Sequence, residues 1–568
     1  MSSPRSTTRR ISAVLLGLSL IGTSCSLGGD GDAGSVRLRP DAVESGMPDD
    51  PTPTRGGKLV YGLEAESDSF CLPDAQLAIS GMQVLRAFYD PLVVPNAKGG
   101  YSPYLAKGLE SSPDHRVWTI TLRPGIKFTD GTPLDSAIVR DNLLAYMDSV
   151  LFSVVYEPVK SVEAVNELTV KVTLDQPWVT FPAALYGGGR VGIIGRAQLE
   201  GRGTRKGQPI APGEQDDCTT NLVGTGPFKF VSWARGRNLQ GVRNDHYWQK
   251  APDGKPYPYL AAIEFRPIAN TGSRVVDLQQ GELNMMQTST MRDMEGALAQ
   301  LKDSGDINLM ISEEHTETSY LIINVKSDKA PILAKVEARR AIAQAIDRSK
   351  LNEVENHGFA TPADGPFAPG TLGYLEDPGR PEFDLDAAKD AVRKLKASGQ
   401  SVKVRYLVDA EASSVVRADL VRQMLNAAGF QVEVVTVDQV ELINKVIAGD
   451  YDIADFRNQP SEDPDTNYHW WYGGTILNFG RFDDDVINRS LRIGRTESDT
   501  AKRRQAYETL NRQFAKQQYN IYLWYSPWAV AESADVHGIL GPKLPDGSEP
   551  GKQLVTGHSL VGVWIDRS

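Results

Sequence analysis

Between Ala388 and Ile453 the sequence switches repeatedly between helical and extended periodicity, and that rhythm restricts the fold more than any other feature. Ala388, Val392 and Leu395 form a helical stripe that stops at Gly399, and Val402 to Val408 then reads as a strand. A second stripe, Val416, Leu420 and Met424, stops at Gly429 before a strand from Gln431 to Val437. A third, Val440, Ile443 and Ile447, ends at Gly449, and Asp450-Tyr-Asp-Ile opens the next strand. Strands separated by helix-length segments cannot close as hairpins, so they pair in parallel under a layer of helices. The expected fold class is therefore α/β. Upstream, Lys58-Leu-Val-Tyr-Gly and Val117 to Leu122 read as strands. Leu168, Val170, Val172 and Leu174 alternate with Thr169, Lys171 and Thr173 as a half-buried strand does. Pro133-Leu-Asp-Ser starts a helix, with Asp135 as its cap and Val139, Leu143 and Met147 on one face.

The first 24 residues have a composition of their own. Arg5, Arg9 and Arg10 precede an uncharged apolar stretch from Ile11 to Ile21, followed by Gly22, Thr23 and Ser24 and then Cys25. A run of this length is too short to span a bilayer as a stable helix but fits the apolar region of a secretion signal. Cys25 after small residues is the expected lipidated mature N-terminus, although Gly22 stands where a lipobox carries an aliphatic residue. Arg9 and Arg10 leave twin-arginine export open beside the general route. Residues 25 to 57, with runs such as GGDGDAGS and PDDPTPT, lack apolar periodicity and read as a flexible tether. Asp and Glu number 72 against 61 Lys and Arg, and losing the leader widens that excess by three, which argues against nucleic acid as a partner. Cys71 and Cys218 are the two cysteines left beyond Cys25. In an exported chain they are expected to pair as a disulfide, the alternative being two small buried apolar residues.

Six segments, in order, resemble the family 5 extracellular solute-binding proteins, the peptide, oligopeptide and nickel receptors of ABC importers. They are Trp118-Thr-Ile-Thr-Leu-Arg-Pro-Gly-Ile-Lys-Phe-Thr-Asp-Gly-Thr-Pro-Leu; Gly224-Thr-Gly-Pro-Phe-Lys-Phe with Trp233, Gly236 and Arg243-Asn-Asp-His-Tyr-Trp248; Gln280-Gly-Glu-Leu-Asn-Met; Tyr320-Leu-Ile-Ile-Asn-Val; Ala338 to Arg348; and Gly449-Asp-Tyr-Asp-Ile with Asp463-Pro-Asp465. Gly224 and Gly226 are expected to supply backbone angles closed to other residues, and Asn238 to Arg243 to return as a hairpin arm. The resemblance implies a periplasmic-binding-protein-like fold of type II with three lobes and a hinged cleft. Lobe I would comprise 58–98, 216–312 and 520–568, lobe II would be an insertion at 99–215, and lobe III would run from 313 to 519. It implies a monomer that captures a peptide or other small solute and passes it to permease subunits with a separate ATPase. Such a receptor would touch the membrane through its lipid anchor alone.

By the same resemblance Ser80 and Gly81, Arg457 and Asn458, and Trp470 are placed in the cleft. The aromatic run Trp470-Trp471-Tyr472 suits a ligand wall, because planar rings give large contact area at low entropy cost, and suits core packing equally. The family's peptide-terminus anchors do not carry over: Pro460 falls where an Asp would hold an amino group, though Glu462 or Asp463 could substitute, and Val408 falls near the carboxylate-binding Arg. Ile476 stands in place of the nickel receptor's His. No cofactor or metal site is expected, since His115, His246, His315, His357, His469, His537 and His558 are scattered without ligand spacing. Two other classes remain in view: an envelope scaffold or sensor that keeps the fold without transport, and a secreted hydrolase. The hydrolase lacks a GxSxG elbow, an HExxH helix and a phosphate loop, and Asp463-Pro-Asp465 reads as a turn start.

Overall fold

The computed structural model describes residues 52–206, 208–209, 216–458, 463–551 and 557–566. The leader, Cys25, nearly all of the tether, Pro460 and Glu462 lie outside them. Two long strands, Ile307–Ile323 and Asn520–Ser533, pair antiparallel from Ile307 opposite Ser533 to Ile322 opposite Asn520, with register shifts between Ser312 and Glu317 and between Ser319 and Tyr320. They form the middle of an eleven-stranded sheet, of which the short strand Thr361–Pro362 pairs with Asn520–Ser533 off the main path. Beyond Asn520–Ser533 lie, in order, Met285–Thr288, Lys58–Leu63, Ala262–Pro267, Asn238–Arg243 and Phe228–Ala234. Beyond Ile307–Ile323 lie Ile453–Asn458, Lys403–Asp409 and Gln431–Val437, whose last two pair in parallel as the alternating rhythm requires. The expected boundary at residue 312 thus falls inside one continuous strand that serves both halves.

A separate four-stranded antiparallel sheet carries Ala106–Ser111, Val117–Leu122, Thr169–Leu174 and Val159–Asn166 in that spatial order. The helix Ser136–Asp148 accompanies it, and Asp135 caps that helix by accepting the Ile138 backbone N–H. Val170, Val172 and Leu174 face inward with Thr169, Lys171 and Thr173 between them. This sheet shares one apolar core with the large sheet, running from Ile120 and Val172 through Leu85 and Tyr89 to Phe265. A second core underlies the helices of the C-terminal half, and a third, rich in aromatics, contains Trp471, Phe482 and Phe514. Among the described residues no helix is long and apolar enough to cross a membrane.

Two sequence readings need correction. The helix Ala412–Ala428 buries Ser414, Ala418, Val421 and Leu425, whereas Val416 is exposed and Leu420 and Met424 are only partly covered. The three-residue stripe marked the edge of the buried face, whose line runs through Ser414 and Ala418 to Val421 and Leu425. Gly224 and Gly226 do not have left-handed backbone angles; their role is close approach. A Cβ at Gly224 would lie 2.0 Å from the Phe88 carbonyl oxygen, and one at Gly226 2.4 Å from its carbon. Gly236, by contrast, does turn the hairpin with φ of 70°.

The spacing motif around these glycines converges on one buried carboxyl. Thr225 Oγ1 and Trp248 Nε1 each donate to Asp90 Oδ2 at 3.0 Å, and Tyr247 donates to Oδ1 at 3.3 Å. Burial pushes the Asp90 carboxyl up to about 6 against those three donors. Cys71 and Cys218 are joined in a disulfide across 147 residues of chain, both fully buried.

Glu532 lies in the strand Asn520–Ser533 with no exposed surface, and burial pushes its carboxyl well above the usual range. The folded state therefore holds this proton to a higher pH than the unfolded chain does. Its contribution is complete at pH below the unfolded carboxyl value and is lost as pH rises toward the folded one, at up to about 1.4 kcal/mol per pH unit. In urea titrations from pH 5 to 8, Glu532→Gln should gain steadily on the parent; parallel curves would contradict a protonated Glu532.

Candidate ligand-binding cleft

The chain order brings distant segments to one cavity of about 230 Å³. Glu64, at the end of Lys58–Leu63, and Gln76 to Ile79, before the first helix, come from one half of the large sheet. Phe152 and Arg190 come from the segment bearing the four-stranded sheet. Tyr320 and Trp524 come from the long central strands, and Phe456, Arg457 and Asn458 from Ile453–Asn458. Strand alternation explains the last group only in part, since the strand's end leaves Arg457 and Asn458 both beside the cavity.

Of the expected cleft residues, Arg457, Asn458 and Trp470 line the cavity. Ser80 and Gly81 do not: they sit in the first turn of Ile79–Phe88, buried, with Ser80 Oγ accepting from the Gln287 side chain at 2.9 Å. A Cβ at Gly81 would meet Ser67 Oγ at 2.1 Å, so the position is one of packing, and the cavity is reached by the residues just before it. Trp470 is half-buried, its ring 5.3 Å from Phe479 and 6.3 Å from Phe456. Its neighbour Trp471 is in the aromatic core against Phe367 and Phe514. The two readings of the aromatic run are thus divided between adjacent residues. Val408 is buried and Ile476 exposed; neither lines the cavity.

Two guanidinium groups organise the polar wall. Arg457 reaches Glu64 at 3.1 Å, Glu317 at 3.7 Å and Ser289 Oγ at 2.6 Å, with its carbon 5.6 Å from the Trp528 ring centre. Burial alone would lower its basicity, but Glu64 and Glu317 outweigh that and hold it firmly charged. Arg417 donates to Asp455 at 2.9 Å and pairs with Glu355, while Tyr406 donates its hydroxyl to Asp455. Burial pushes Glu355 up to about 7 even with Arg417 beside it. Arg190 is different: its hydrogen bond goes to the Leu77 carbonyl at 3.2 Å, no carboxylate among the described residues pairs with it, and burial lowers it to about 10. His469 also faces the cavity, lowered by burial to about 3 and hence neutral, and its Nδ1 has no partner.

Asp463 and Asp465 do more than open a turn. Asp463 caps it by accepting the Asp465 backbone N–H, and both its oxygens take Arg503 Nη2 at 2.7 Å, so it is not free to hold a solute amine. Asp465, buried, accepts from Trp178 Nε1 at 2.9 Å and Thr180 Oγ1 at 2.6 Å and pairs with Arg495 at 2.9 Å, joining the segment after the small sheet to the C-terminal half.

Sequence reasoning missed Arg417, Glu355, Arg190, Ile443 and Ile447. A signal existed for two kinds of them. Arg417 stands within the apolar face of its helix, beside Ala418 and one turn before Val421, and a charge there needs a buried partner. In the helix Gln439–Ala448, Val446 faces the core, and Leu442, Ile443 and Ile447 form an apolar edge along the cavity. Trp471→Ala should cost about 3–5 kcal/mol of stability, as for other fully buried large side chains. Trp470→Ala should cost less than half of that in the same urea titration; equal losses would move Trp470 into the core.

Residues 100–479 match the family described as bacterial extracellular solute-binding proteins, family 5 Middle. The chain is 25% identical over 453 residues to the probable D,D-dipeptide-binding periplasmic protein DdpA of Escherichia coli strain K12, covering 78% of this chain and 82% of that one. It is 28% identical over 294 residues to the glutathione-binding protein GsiB of Pectobacterium atrosepticum, about half of each chain. Among solved structures, the periplasmic binding protein AgaA of A. tumefacien R10 in complex with agropinic acid superposes with a TM-score of 0.77 at 26% identity, over 90% of this chain and 99% of that one. The oligopeptide-binding protein AppA of Bacillus subtilis, bound to a nonapeptide, shares the fold with a TM-score of 0.76 at 20% identity, over 91% and 100%. With the motifs, the topology and the cavity in agreement, the chain belongs to the family 5 extracellular solute-binding proteins, the substrate-binding components of ABC import systems.

Proposed function

We propose that this chain captures a peptide-like or related small polar solute outside the membrane, without chemically changing it, and delivers it to a permease powered by a separate ATPase. The observation that carries this reading is the composition of the cavity wall, to which both halves of the large sheet contribute through one pair of shared strands. Residues 58–98, 216–312 and 520–568 would act as one lobe, 99–215 as an insertion on it, and 313–519 as the lobe that closes. The register shift between Ser312 and Glu317 is where the shared strand would bend. Closure is driven only by the extra affinity of the solute for the closed arrangement. The D,D-dipeptide and glutathione named for its relatives are both peptide-like, which supports that solute class. The scaffold reading has no observation of its own.

Purified protein examined by native mass spectrometry should carry a co-purified solute, recoverable at unchanged mass. Re-adding that solute to the emptied protein should raise the melting temperature, by about 2.7 kcal/mol of stabilisation at a hundredfold excess over Kd. The radius of gyration should fall at the same time. Conversion of the solute into a product would overturn the non-catalytic reading.

Anchoring rests on the composition of residues 1–25 and on the family's extracytoplasmic setting. A lipid on Cys25 with the tether behind it would keep the receptor at the outer face of the cell membrane while leaving it mobile. Cys25→Ala should shift the protein from the membrane fraction to the medium, and unchanged fractionation would refute lipid attachment.

A further inference from the structure

The charges on the cavity wall do not balance. Among the described residues six carboxyl groups line it, Glu64, Glu317, Glu355, Asp409, Glu411 and Asp455, against three guanidinium groups. Arg457 is shared by Glu64 and Glu317, and Arg417 by Glu355 and Asp455, which consumes both cations. Among the described residues Asp409 and Glu411 have no cationic partner within ion-pair distance and no hydrogen bond reaches the Glu411 carboxyl, while Asp409 accepts the Glu411 backbone N–H at 2.9 Å. Three of the six, Glu317, Glu355 and Asp455, are pushed upward, each first of all by burial. A wall that resists ionisation when empty gains most from a positive charge brought into it.

Two buried polar atoms beside this cluster lack any partner. Glu355 Oε2 accepts no hydrogen bond although its carboxyl is about nine-tenths covered, and Asn356 Nδ2 donates none although only 5% of the residue is exposed. Both residues line the cavity at the end of the helix Arg348–Asn356. Native interiors rarely leave such groups unsatisfied, and here the vacant positions open on the cavity. Arg190 supplies the complementary feature from another part of the chain, a guanidinium facing the cavity with only the Leu77 carbonyl as partner.

We propose that the solute carries net positive charge, with an ammonium or guanidinium seated among Glu355, Asp409 and Glu411 and a carboxylate held by Arg190. This rests on the solute-capture reading and narrows it to basic peptide-like solutes. The cation would donate to Glu355 Oε2, and an acceptor beside it would take the Asn356 amide. Because those positions differ from Pro460 and Val408, the absence of peptide-terminus anchors there leaves the cavity able to hold both charged ends.

The test is calorimetric titration of the emptied mature protein with three dipeptides that differ in one side-chain charge: Ala-Lys, Ala-Gln and Ala-Glu. Ala-Lys should bind about tenfold or more tighter than Ala-Gln, with Ala-Glu weakest. Glu411→Gln, which removes one carboxylate from the acidic side of the cavity, should shrink the Ala-Lys preference over Ala-Gln to about threefold or less. Arg190→Gln should weaken Ala-Lys and Ala-Gln alike. Equal or tighter binding of Ala-Gln or Ala-Glu overturns the proposal, as does failure of Ala-Lys to bind at millimolar concentration to protein with the parent's circular dichroism. Neither outcome touches the capture role, which is decided separately by the co-purified solute.

Discussion

The pairing of Ile307–Ile323 with Asn520–Ser533 is the constraint on which the other parts depend. Asn520–Ser533 pairs with the N-terminal half through Ala529 to Glu532, and Ile307–Ile323 pairs with the C-terminal half through Thr318 to Ile323, so the ladder between them fixes the spacing of the two. Side chains from both strands, Glu317, Tyr320, Trp524 and Ser526 among them, also form part of the cavity wall. Any motion of one half against the other is therefore coupled to the cavity by backbone, with no loop in between. The interruption of pairing between Ser312 and Glu317 is the place where the ladder is weakest.

Polar contacts refine what the ladder positions. Arg457 leaves the C-terminal half to meet Glu64 on the N-terminal half, and Asp465 meets Trp178 and Thr180 beside the small sheet. Each contact buries charge, which gains little net free energy but makes the wrong arrangement costly, since a half-broken pair would leave a desolvated ion behind. Such contacts select one arrangement more than they strengthen it.

Most of the architecture was legible because it rests on periodicity. The parallel strands, the Asp135 cap, the Thr169–Leu174 alternation and the hairpin at Gly236 all follow from local spacing, and the structure reproduces them. The cleft was legible only where a motif marked it, at Arg457, Asn458 and Trp470. Ser80 and Gly81 follow directly on the lining residue Ile79, and the helix turns them into the packing instead. Glu355, Arg417 and Arg190 come from separate segments, and their meeting depends on tertiary distances that leave no local trace. The glycine pair at 224 and 226 shows a subtler limit: the residues were noticed, but the reason, contact with the Phe88 backbone, belongs to a strand and helix more than a hundred residues apart in sequence.

The disulfide between Cys71 and Cys218 encloses the whole segment that carries the small sheet. That segment shares its core with the large sheet, so it is held twice, once by packing and once covalently. A protease that cut the backbone anywhere between those two cysteines would open a chain end without freeing a fragment. For a receptor working among extracellular proteases, nicking of this region becomes a repairable loosening in place of a loss of parts, and the nicked molecule would separate into pieces only after reduction.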